Sequence, residues 1–227
     1  MVQKAVCIHA HFYQPPRENP WLEHVEVQDS AHPFHDWNER ITVECYAPNG
    51  AARLVDERGR IKEIVNNYSR LSFDFGPTLL GWIERHSPDE YRRIVEADRE
   101  SCARNGGHGN AIVLPYNHVI MPLASERDRI TQVVWALREF ERHFGRPAEG
   151  MWLSEAAVDL KSLDLLAQHD IRFTILSPFQ AKRVRPKGAN KWIDVSDGRI
   201  DPRRPYLCRL HGNRSIALFF YDSLISH

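Results

Sequence analysis

The 227-residue sequence predicts an α/β fold built on a mainly parallel sheet. Short apolar segments of strand type alternate with amphipathic helices along the chain, which is the pattern of βα units. Polar residues follow several of these strands directly, and parallel α/β folds place their sites at those carboxyl ends. No internal repeat, low-complexity tract or clear linker is present, so we expect residues 1–227 to form one domain.

In the N-terminal half, predicted strands and helices alternate, as the α/β class requires. Residues 17–49 have little periodicity, but their aromatic content predicts an ordered loop and not a disordered one. Polar and apolar residues alternate in RLSFDF, as in a strand. The predicted elements are, in order, a strand over 4–8, the loop over 17–49, a helix over 51–66, a strand over 70–75 and a helix over 78–85.

The C-terminal half repeats the alternation with stronger helix signals. Ser87-Pro88-Asp89-Glu90 combines a capping serine, a first-turn proline and a glutamate at the capping-box position. Apolar residues on one face predict a regular helix from Ser125. The predicted elements are a helix from 87 to about 104, a strand over 111–114, a helix from 125, a strand over 149–153, a helix over 159–168 and strands over 171–176 and 215–221.

Composition excludes several classes of protein. Lys plus Arg and Asp plus Glu number 30 each, and no long basic run occurs, which argues against nucleic acid or an anionic membrane as the main partner. No apolar run has the length of a membrane span or of a signal-peptide core. The four cysteines form no C-x-x-C pair, so we expect free buried thiols in a cytoplasmic protein and no cysteine zinc site.

The first chemical motif is HAHFYQPP, residues 9–16. Alternate residues of an extended segment share a face, so His9 and His11 can point into one cleft. Imidazoles there can hydrogen-bond sugar hydroxyls or bind a metal. The alternative is a pair of capping or core histidines at a strand end.

The second motif is GGHGN, residues 106–110, followed by PYNH. Clustered glycines let a backbone approach a ligand closely or adopt positive φ. No Gly-Lys-Ser/Thr follows, which excludes a P-loop. The alternative is a helix C-cap followed by an ordinary loop.

The third motif is EGMWLSEAAVD, residues 149–159. Glu155 lies beyond an apolar strand and before a capped helix, where a carboxylate can serve as nucleophile, base or metal ligand. Trp152 can supply a wall on which a sugar stacks. The alternative is an exposed first-turn glutamate favoured by the helix dipole.

Together these three motifs resemble those of glycoside hydrolase family 57, in the same order and across essentially the whole chain. The stretch HDWNERITVECYAPN is similar to an uncharacterised branch of that family. The resemblance implies an incomplete (β/α)7-type barrel and a retaining mechanism, with no metal and no cofactor. It implies α-linked glucans as substrates, as in amylases, branching enzymes or glucanotransferases.

The resemblance places the catalytic nucleophile at Glu155 and puts His9, His11, Gln14 and His108 around the sugar. We add three expected substrate contacts from the residues themselves: Trp37 in the 17–49 loop, Trp152 beside the nucleophile, and Asp222 after the last strand. We also expect the 17–49 loop to lie over the cleft.

Two departures from the family pattern affect the expected activity. Ser154 stands where the family commonly has proline, which leaves Glu155 in place. The acid/base aspartate of a fourth motif has no counterpart, and Asp222 lacks the expected neighbours. We therefore expect a chain that is truncated at its C-terminus and has little or no glycosidase activity alone, with the acid/base beyond His227.

Two other functions fit parts of the sequence. A metal-dependent polysaccharide deacetylase would use His9 and His11 with Asp74 or Asp222 around a metal that activates water. The missing His-x-x-x-His/Asp spacing counts against it. A non-catalytic carbohydrate-binding protein would keep the aromatic loop and be indifferent to loss of Glu155. Oligomeric state is not predicted.

Overall fold

A computed structural model describes residues 5–226, which belong to two compact units. One unit comprises Met1–Ile112 with Glu139–Arg146, and the other comprises Val113–Arg138 with Pro147–His227. A single domain over 1–227 stays a prediction. The α/β class is confirmed, because helices alternate with strands that pair in parallel in each unit.

Within residues 5–112 the first unit contains four strands and four α-helices. Thr42–Tyr46, a π-helical turn, joins its first two helices into one continuous helical stretch. The elements are β1 (His9–Phe12), α1 (Trp37–Ile41), α2 (Ala47–Gly50), β2 (Ala52–Val55), β3 (Ile61–Val65), β4 (Ser72–Phe75), α3 (Pro77–His86) and α4 (Pro88–Arg104).

Strict alternation gives the β1–β4 pair two different faces. The strands run parallel, with His9 opposite Ser72 and His11 opposite Asp74. Successive strand residues point to opposite sides, so these four polar residues share one face. The other face carries Phe12, Phe73 and Phe75, which pack with two further buried aromatics, Tyr46 and Tyr68.

The aromatic face forms a core that fixes the two strands. The rings of Phe12 and Phe75 stack with centroids 4.9 Å apart, and Phe12 meets Tyr68 edge-on at 5.4 Å. The Tyr68 hydroxyl donates to the Tyr46 carbonyl oxygen at 2.9 Å, which satisfies a buried polar group. Burial raises the pKa of the Tyr46 phenol to about 12. Aromatic packing therefore holds the polar face in place.

The structure corrects three predictions in this unit. Of the predicted strand over 4–8, residue 4 lies outside the described residues, residues 5–8 have no regular structure, and the strand begins at His9. Residues 37–49 of the predicted loop are helical, and the Asp36 side chain caps the start of this stretch at α1. The predicted helix over 51–66 is a β-hairpin, whose turn is stabilised by backbone N–H groups that donate to Asp56.

The remaining helices and strands of this unit follow the prediction closely. β4, α3 and α4 lie within two residues of the predicted bounds. The predicted capping box at Ser87 is wrong, since its side chain makes no cap hydrogen bond to α4. A parallel bridge between Phe73 and Ala111 stands where a strand over 111–114 is predicted.

α5 (Glu126–Phe144) supplies residues to both units, and the other elements belong to the second. Strand β9 pairs in parallel with β5 and antiparallel with β8. Parallel bridges of Met151 to Val113 and of Gly150 to Phe173 stand where the 149–153 strand is predicted. The elements are α6 (Leu160–Gln168), β5 (Phe173–Leu176), β6 (Arg183–Val184), β7 (Ile193–Asp194), β8 (Tyr206–Arg209) and β9 (Ser215–Phe220).

The predictions for α5, α6, β5 and β9 are confirmed to within two residues, whereas β6, β7 and β8 are not predicted from the sequence. The Asp159 side chain caps α6, as expected, by accepting from the Ser162 N–H at 2.7 Å. The cysteines form no disulfide within the described chain, but Cys7 is exposed and the other three are half-buried, contrary to the expectation of buried thiols. No helix within residues 5–226 is long and apolar enough to cross a membrane.

Candidate active site

A buried carboxylate joins the two histidines of the first motif. Asp74 is fully buried, and its two oxygens lie 3.1 Å from His9 Nε2 and 2.7 Å from His11 Nδ1. The His9 and His11 side chains are 12% and 28% exposed. A buried carboxylate is costly unless it is hydrogen-bonded, and two imidazole N–H groups meet that need. Asp74 therefore holds both histidines in place, and each imidazole remains partly exposed to solvent.

These contacts set the tautomer of each neutral ring. Donation from Nδ1 of His11 to Asp74 leaves its Nε2 as the acceptor nitrogen. His9 donates from Nε2 to Asp74 and accepts from the Ser72 hydroxyl at Nδ1, 3.0 Å away. A rigid imidazole acceptor is suited to hold a sugar hydroxyl. The predicted sharing of one face by His9 and His11 matches the register of β1.

The side chains that follow β1 are also fixed. Gln14 Oε1 accepts from Nη2 of Arg17 at 2.7 Å. The Tyr13 ring lies 6.0 Å from the His11 ring and nearly parallel to it. Gln14 thus has an internal partner, and its predicted role around the sugar stays a prediction.

Trp37 opens helix α1 and is held on two sides. Its indole Nε1 donates to the Ser30 hydroxyl at 2.9 Å, and the Arg40 guanidinium lies 4.8 Å from the ring centroid. The cap below it is strong, since Asp36 Oδ1 accepts from the N–H groups of Asn38 and Glu39. Trp37 is half-buried and ordered, which leaves its predicted contact with substrate open.

The second motif is a helix C-cap followed by a tightly held loop. α4 ends at Arg104, Gly106 and Gly107 adopt φ of 65° and 97°, and the Gly107 N–H donates to the Cys102 carbonyl at 2.8 Å. His108 follows and is exposed. The C-cap alternative therefore describes the glycines, and the predicted contact of His108 with the sugar stays a prediction.

A buried ion pair that the sequence analysis missed holds the far end of this loop. Nε and Nη2 of Arg146 each lie 2.8 Å from an oxygen of Asp98, and the Ala111 N–H donates to the same carboxylate at 2.8 Å. Nη2 of Arg146 also donates to the Ala111 carbonyl at 2.9 Å. A Cβ on Gly109 would overlap both charged groups. Any residue larger than glycine at position 109 would therefore displace this ion pair.

Glu155 sits at a strained turn between Met151 and α6. Its φ and ψ are 54° and 22°, and Ala156 next to it has φ of 50°. Left-handed conformations cost non-glycine residues about 1–3 kcal/mol and cluster at functional sites. The Gln180 side chain donates to the Ala156 carbonyl and thereby supports the turn. The Gln180 contact therefore helps to hold the backbone from which the Glu155 side chain projects.

The Glu155 carboxylate faces solvent. The residue is exposed, and within residues 5–226 its carboxylate has no hydrogen-bond or ion-pair partner. α6 begins at Leu160 with Asp159 as its cap, so Glu155 is not in the first turn of that helix. The alternative of a glutamate placed there by the helix dipole is wrong. Ser154, beside it, is buried, and its hydroxyl has no hydrogen-bond partner in the described part of the chain.

The other predicted residues of the second unit are placed differently from each other. The Trp152 N–H donates to the Val113 carbonyl at 2.8 Å, and its side chain is half-buried. Asp222 Oδ1 accepts from the Leu224 N–H at 3.0 Å, and its carbonyl accepts from the N–H groups of Ile225 and Ser226. The Asp222 carboxylate thus stabilises the turn after β9.

The predicted site residues fall into two sets. His9, His11, Gln14, Trp37 and His108 belong to the first unit, and Trp152, Glu155 and Asp222 belong to the second. A common cleft for both sets stays a prediction. Across residues 5–226 no group of three His, Cys, Asp or Glu side chains is arranged to hold a metal ion, including the set of His9, His11 and Asp74.

Sequence reasoning undervalued Asp74. The signal was a single acidic residue in a strand rich in phenylalanine, which requires a polar partner when buried. Asp98 and Arg146 carried no such signal, since they lie far apart on predicted helix and loop segments and meet through tertiary structure alone.

Comparison with known proteins places the chain within one family. The sequence model described as glycosyl hydrolase family 57 matches residues 19–227. No curated protein matched the sequence.

Solved structures share the fold at low sequence identity. A 4-alpha-glucanotransferase from Thermococcus litoralis has a TM-score of 0.63 and 16% identity, over 97% of this chain and 28% of that one. An exo-type maltose-forming amylase from a Pyrococcus species has a TM-score of 0.63 and 18% identity, over 97% and 35%. A branching enzyme from Thermococcus kodakaraensis has a TM-score of 0.54 and 14% identity, over 95% and 47%. The chain spans less than half the length of each.

Proposed function

The chain belongs to glycosyl hydrolase family 57, and on that premise we propose that it forms the nucleophile-bearing part of a retaining enzyme that hydrolyses or transfers α-linked glucans. The proposal includes an incomplete (β/α)7-type barrel, consistent with the parallel pairs β1–β4 and β5–β9. The proposed activity is supported by the solved structures that share this fold, which include a 4-alpha-glucanotransferase, a maltose-forming amylase and a branching enzyme.

The observation that carries the proposal is the exposed Glu155 carboxylate on its left-handed turn. A nucleophile needs an accessible oxygen and a well-positioned backbone behind it. Exposure supplies the first property, and the turn supported by Gln180 supplies the second.

In the proposed reaction a Glu155 oxygen attacks the anomeric carbon of the bound sugar. The glycosidic C–O bond breaks, a proton donor protonates the departing oxygen, and a covalent glycosyl-enzyme forms. Water or an acceptor hydroxyl then attacks the same carbon and releases Glu155, with the donor now acting as base. The configuration at that carbon is retained because it is inverted twice.

The first-unit histidines have a supporting role in this proposal. Asp74 fixes His9 and His11, whose imidazoles would bind sugar hydroxyls, and His108 would add a contact from the second-motif loop. Trp37, Gln14 and Trp152 are proposed as further substrate contacts. Asp222 is proposed to support the site through the turn after β9 and not to donate the proton, because its carboxylate accepts from that turn.

The experiment is an assay of the full-length gene product on maltooligosaccharides and amylose, with reducing-end and chain-length readouts. We expect Glu155→Gln to abolish hydrolysis and transfer while saccharide binding persists. Glu126→Gln changes an equally exposed glutamate at the start of α5 and serves as the matched control. Full activity of Glu155→Gln would refute the assignment, and sugar binding without activity in the wild type would favour a non-catalytic binding protein.

A further inference from the structure

A surface pocket in the first unit is lined by residues from three stretches of the chain, 24–25, 35–43 and 82–87, and none of them has a role in the proposed glucan chemistry. The pocket has a volume of about 470 Å³. Its floor consists of the buried residues Val25, Asp36, Thr42 and Trp82. Its rim carries His24, His35, His86 and Glu39. This volume lies in the range of small-molecule sites.

The three rim histidines share one hydrogen-bonding arrangement. Nδ1 of His24 donates to the Leu22 carbonyl at 3.1 Å, and Nδ1 of His86 donates to the Trp82 carbonyl at 3.0 Å. Nδ1 of His35 lies 2.9 Å from Asp36 Oδ2. Each neutral ring therefore keeps Nε2 as a lone-pair acceptor. Within residues 5–226, none of these three Nε2 atoms has a hydrogen-bond partner.

The charged residues that line the pocket favour a cationic ligand. Asp36 and Glu39 line the pocket, and none of the residues described along its walls is Lys or Arg. Glu39 uses Oε2 to accept from the His35 N–H at 2.7 Å, and its other oxygen has no hydrogen-bond partner among the described residues. Two carboxylates without a cation disfavour an anionic ligand and favour a cation.

The size of the pocket and the spacing of its polar groups favour an organic cation over a metal ion. Across the described chain no three His, Cys, Asp or Glu side chains are gathered closely enough to hold a metal. An ammonium group has three N–H donors and can reach acceptors spaced around a wider pocket. The Ser87 hydroxyl at the rim can accept or donate, so hydroxyl groups on the same ligand would also find partners.

We propose that this pocket binds a small organic cation that carries a primary ammonium group beside hydroxyls, as an amino sugar does. The ammonium group lies between the Glu39 carboxylate and the imidazole acceptors, above the Asp36 and Trp82 floor. This site is independent of the proposed glucan reaction, since it contains none of the residues assigned to it.

Isothermal titration of the full-length protein with glucosamine tests the proposal. Glucose and N-acetylglucosamine have the same ring and lack the charge, so they are matched ligand controls. We expect glucosamine to bind at least about tenfold more tightly than either, the difference that one charge-assisted hydrogen bond supplies. Absence of glucosamine binding, or equal binding of glucose, would overturn the proposal.

Variants locate the binding. Glu39→Gln keeps the acceptor for the His35 N–H and removes the charge, and we expect glucosamine affinity to fall about tenfold. Glu44→Gln, which changes a glutamate paired with Arg40 and away from the pocket, is the control and should bind as the wild type does. His86→Gln, which changes another residue of the pocket, should weaken binding as well. Unchanged affinity in both Glu39→Gln and His86→Gln would place glucosamine elsewhere and contradict the proposal, whatever the glucan assay shows.

Discussion

Nδ1 of His11 lies 2.7 Å from the fully buried carboxylate of Asp74, on the strand beside it. The register of β1 and β4 puts the two residues directly opposite each other, with His9 two positions away on the same face. The aromatic core on the opposite face keeps both strands in that register. Asp74 thus acts as a positioning residue for the first motif.

Asp74→Asn tests this positioning role. We expect kcat on α-glucans to fall by about tenfold to a hundredfold, because a misplaced group loses its alignment with the reacting atoms. Ser72→Ala removes one hydrogen bond to His9 and should have a much smaller effect. Both kcat and the free energy of unfolding should be measured for the two variants. If kcat falls equally in both, in proportion to their loss of stability, Asp74 has only a structural role.

The fold class and most helices were predictable because their signals are local. The regular apolar face of α5 and the Asp159 cap of α6 depend on residues close in sequence. The hairpin of β2 and β3 was misassigned, because its Asp56 turn outweighs the helical composition of the strands. In the candidate site, the histidine pair and Glu155 could be read from motifs.

Other parts of the site depend on contacts between distant residues. Asp98 and Arg146 lie 48 positions apart and meet by packing, which leaves no pattern in sequence. The backbone strain at Glu155 is likewise invisible, since neither Glu155 nor Ala156 favours a left-handed conformation. Tertiary structure imposes both features.

Gly109→Ala should destabilise the protein and loosen the second-motif loop. A methyl group there meets the Asp98 carboxylate and the Arg146 guanidinium, so the buried ion pair must shift, at a cost of about 1–3 kcal/mol. Gly81→Ala, inside α3 with nothing near the added carbon, should be neutral or stabilising by up to about 1 kcal/mol. Urea unfolding measures both, and equal stability of the two variants would show that the loop has room.

His143 should make the protein less stable in mild acid. Burial, followed by the neighbouring Arg142 charge, lowers the pKa of the His143 imidazole despite the carboxylates of Glu139 and Glu84. An unfolded histidine has a pKa of about 6.5, so below that pH the unfolded chain takes up a proton that the folded ring resists. The His143 contribution to stability is therefore constant above the unfolded pKa. It falls as the pH drops from there towards the lower pKa of the folded protein.

Urea unfolding at pH 7.5 and pH 5.5 tests the His143 effect. His143→Gln should lose less stability between the two pH values than the wild type, although it is less stable at pH 7.5. His32→Gln changes an exposed histidine and should behave as the wild type does. An unaltered acid dependence in His143→Gln would show that another group is responsible.

Asp222→Asn should have a moderate effect on activity. Its carboxylate accepts from the Leu224 N–H, and asparagine keeps an acceptor oxygen in the same place. We expect less than about a tenfold loss of kcat on α-glucans, since removal of a general acid typically costs 10²–10⁴-fold. A loss of that larger size, rescued with substrates whose leaving group needs no proton, would make Asp222 the acid/base.

In the proposed reaction Glu155 forms the covalent bond to the sugar. The most direct test of this step is mass spectrometry of the full-length protein after incubation with a 5-fluoro-α-glucosyl fluoride, followed by proteolysis. We expect one added glycosyl mass on the peptide that contains Glu155, and none in Glu155→Gln. A glycosyl adduct on another carboxylate, or turnover of α-glucan with inverted configuration and no adduct, would contradict it.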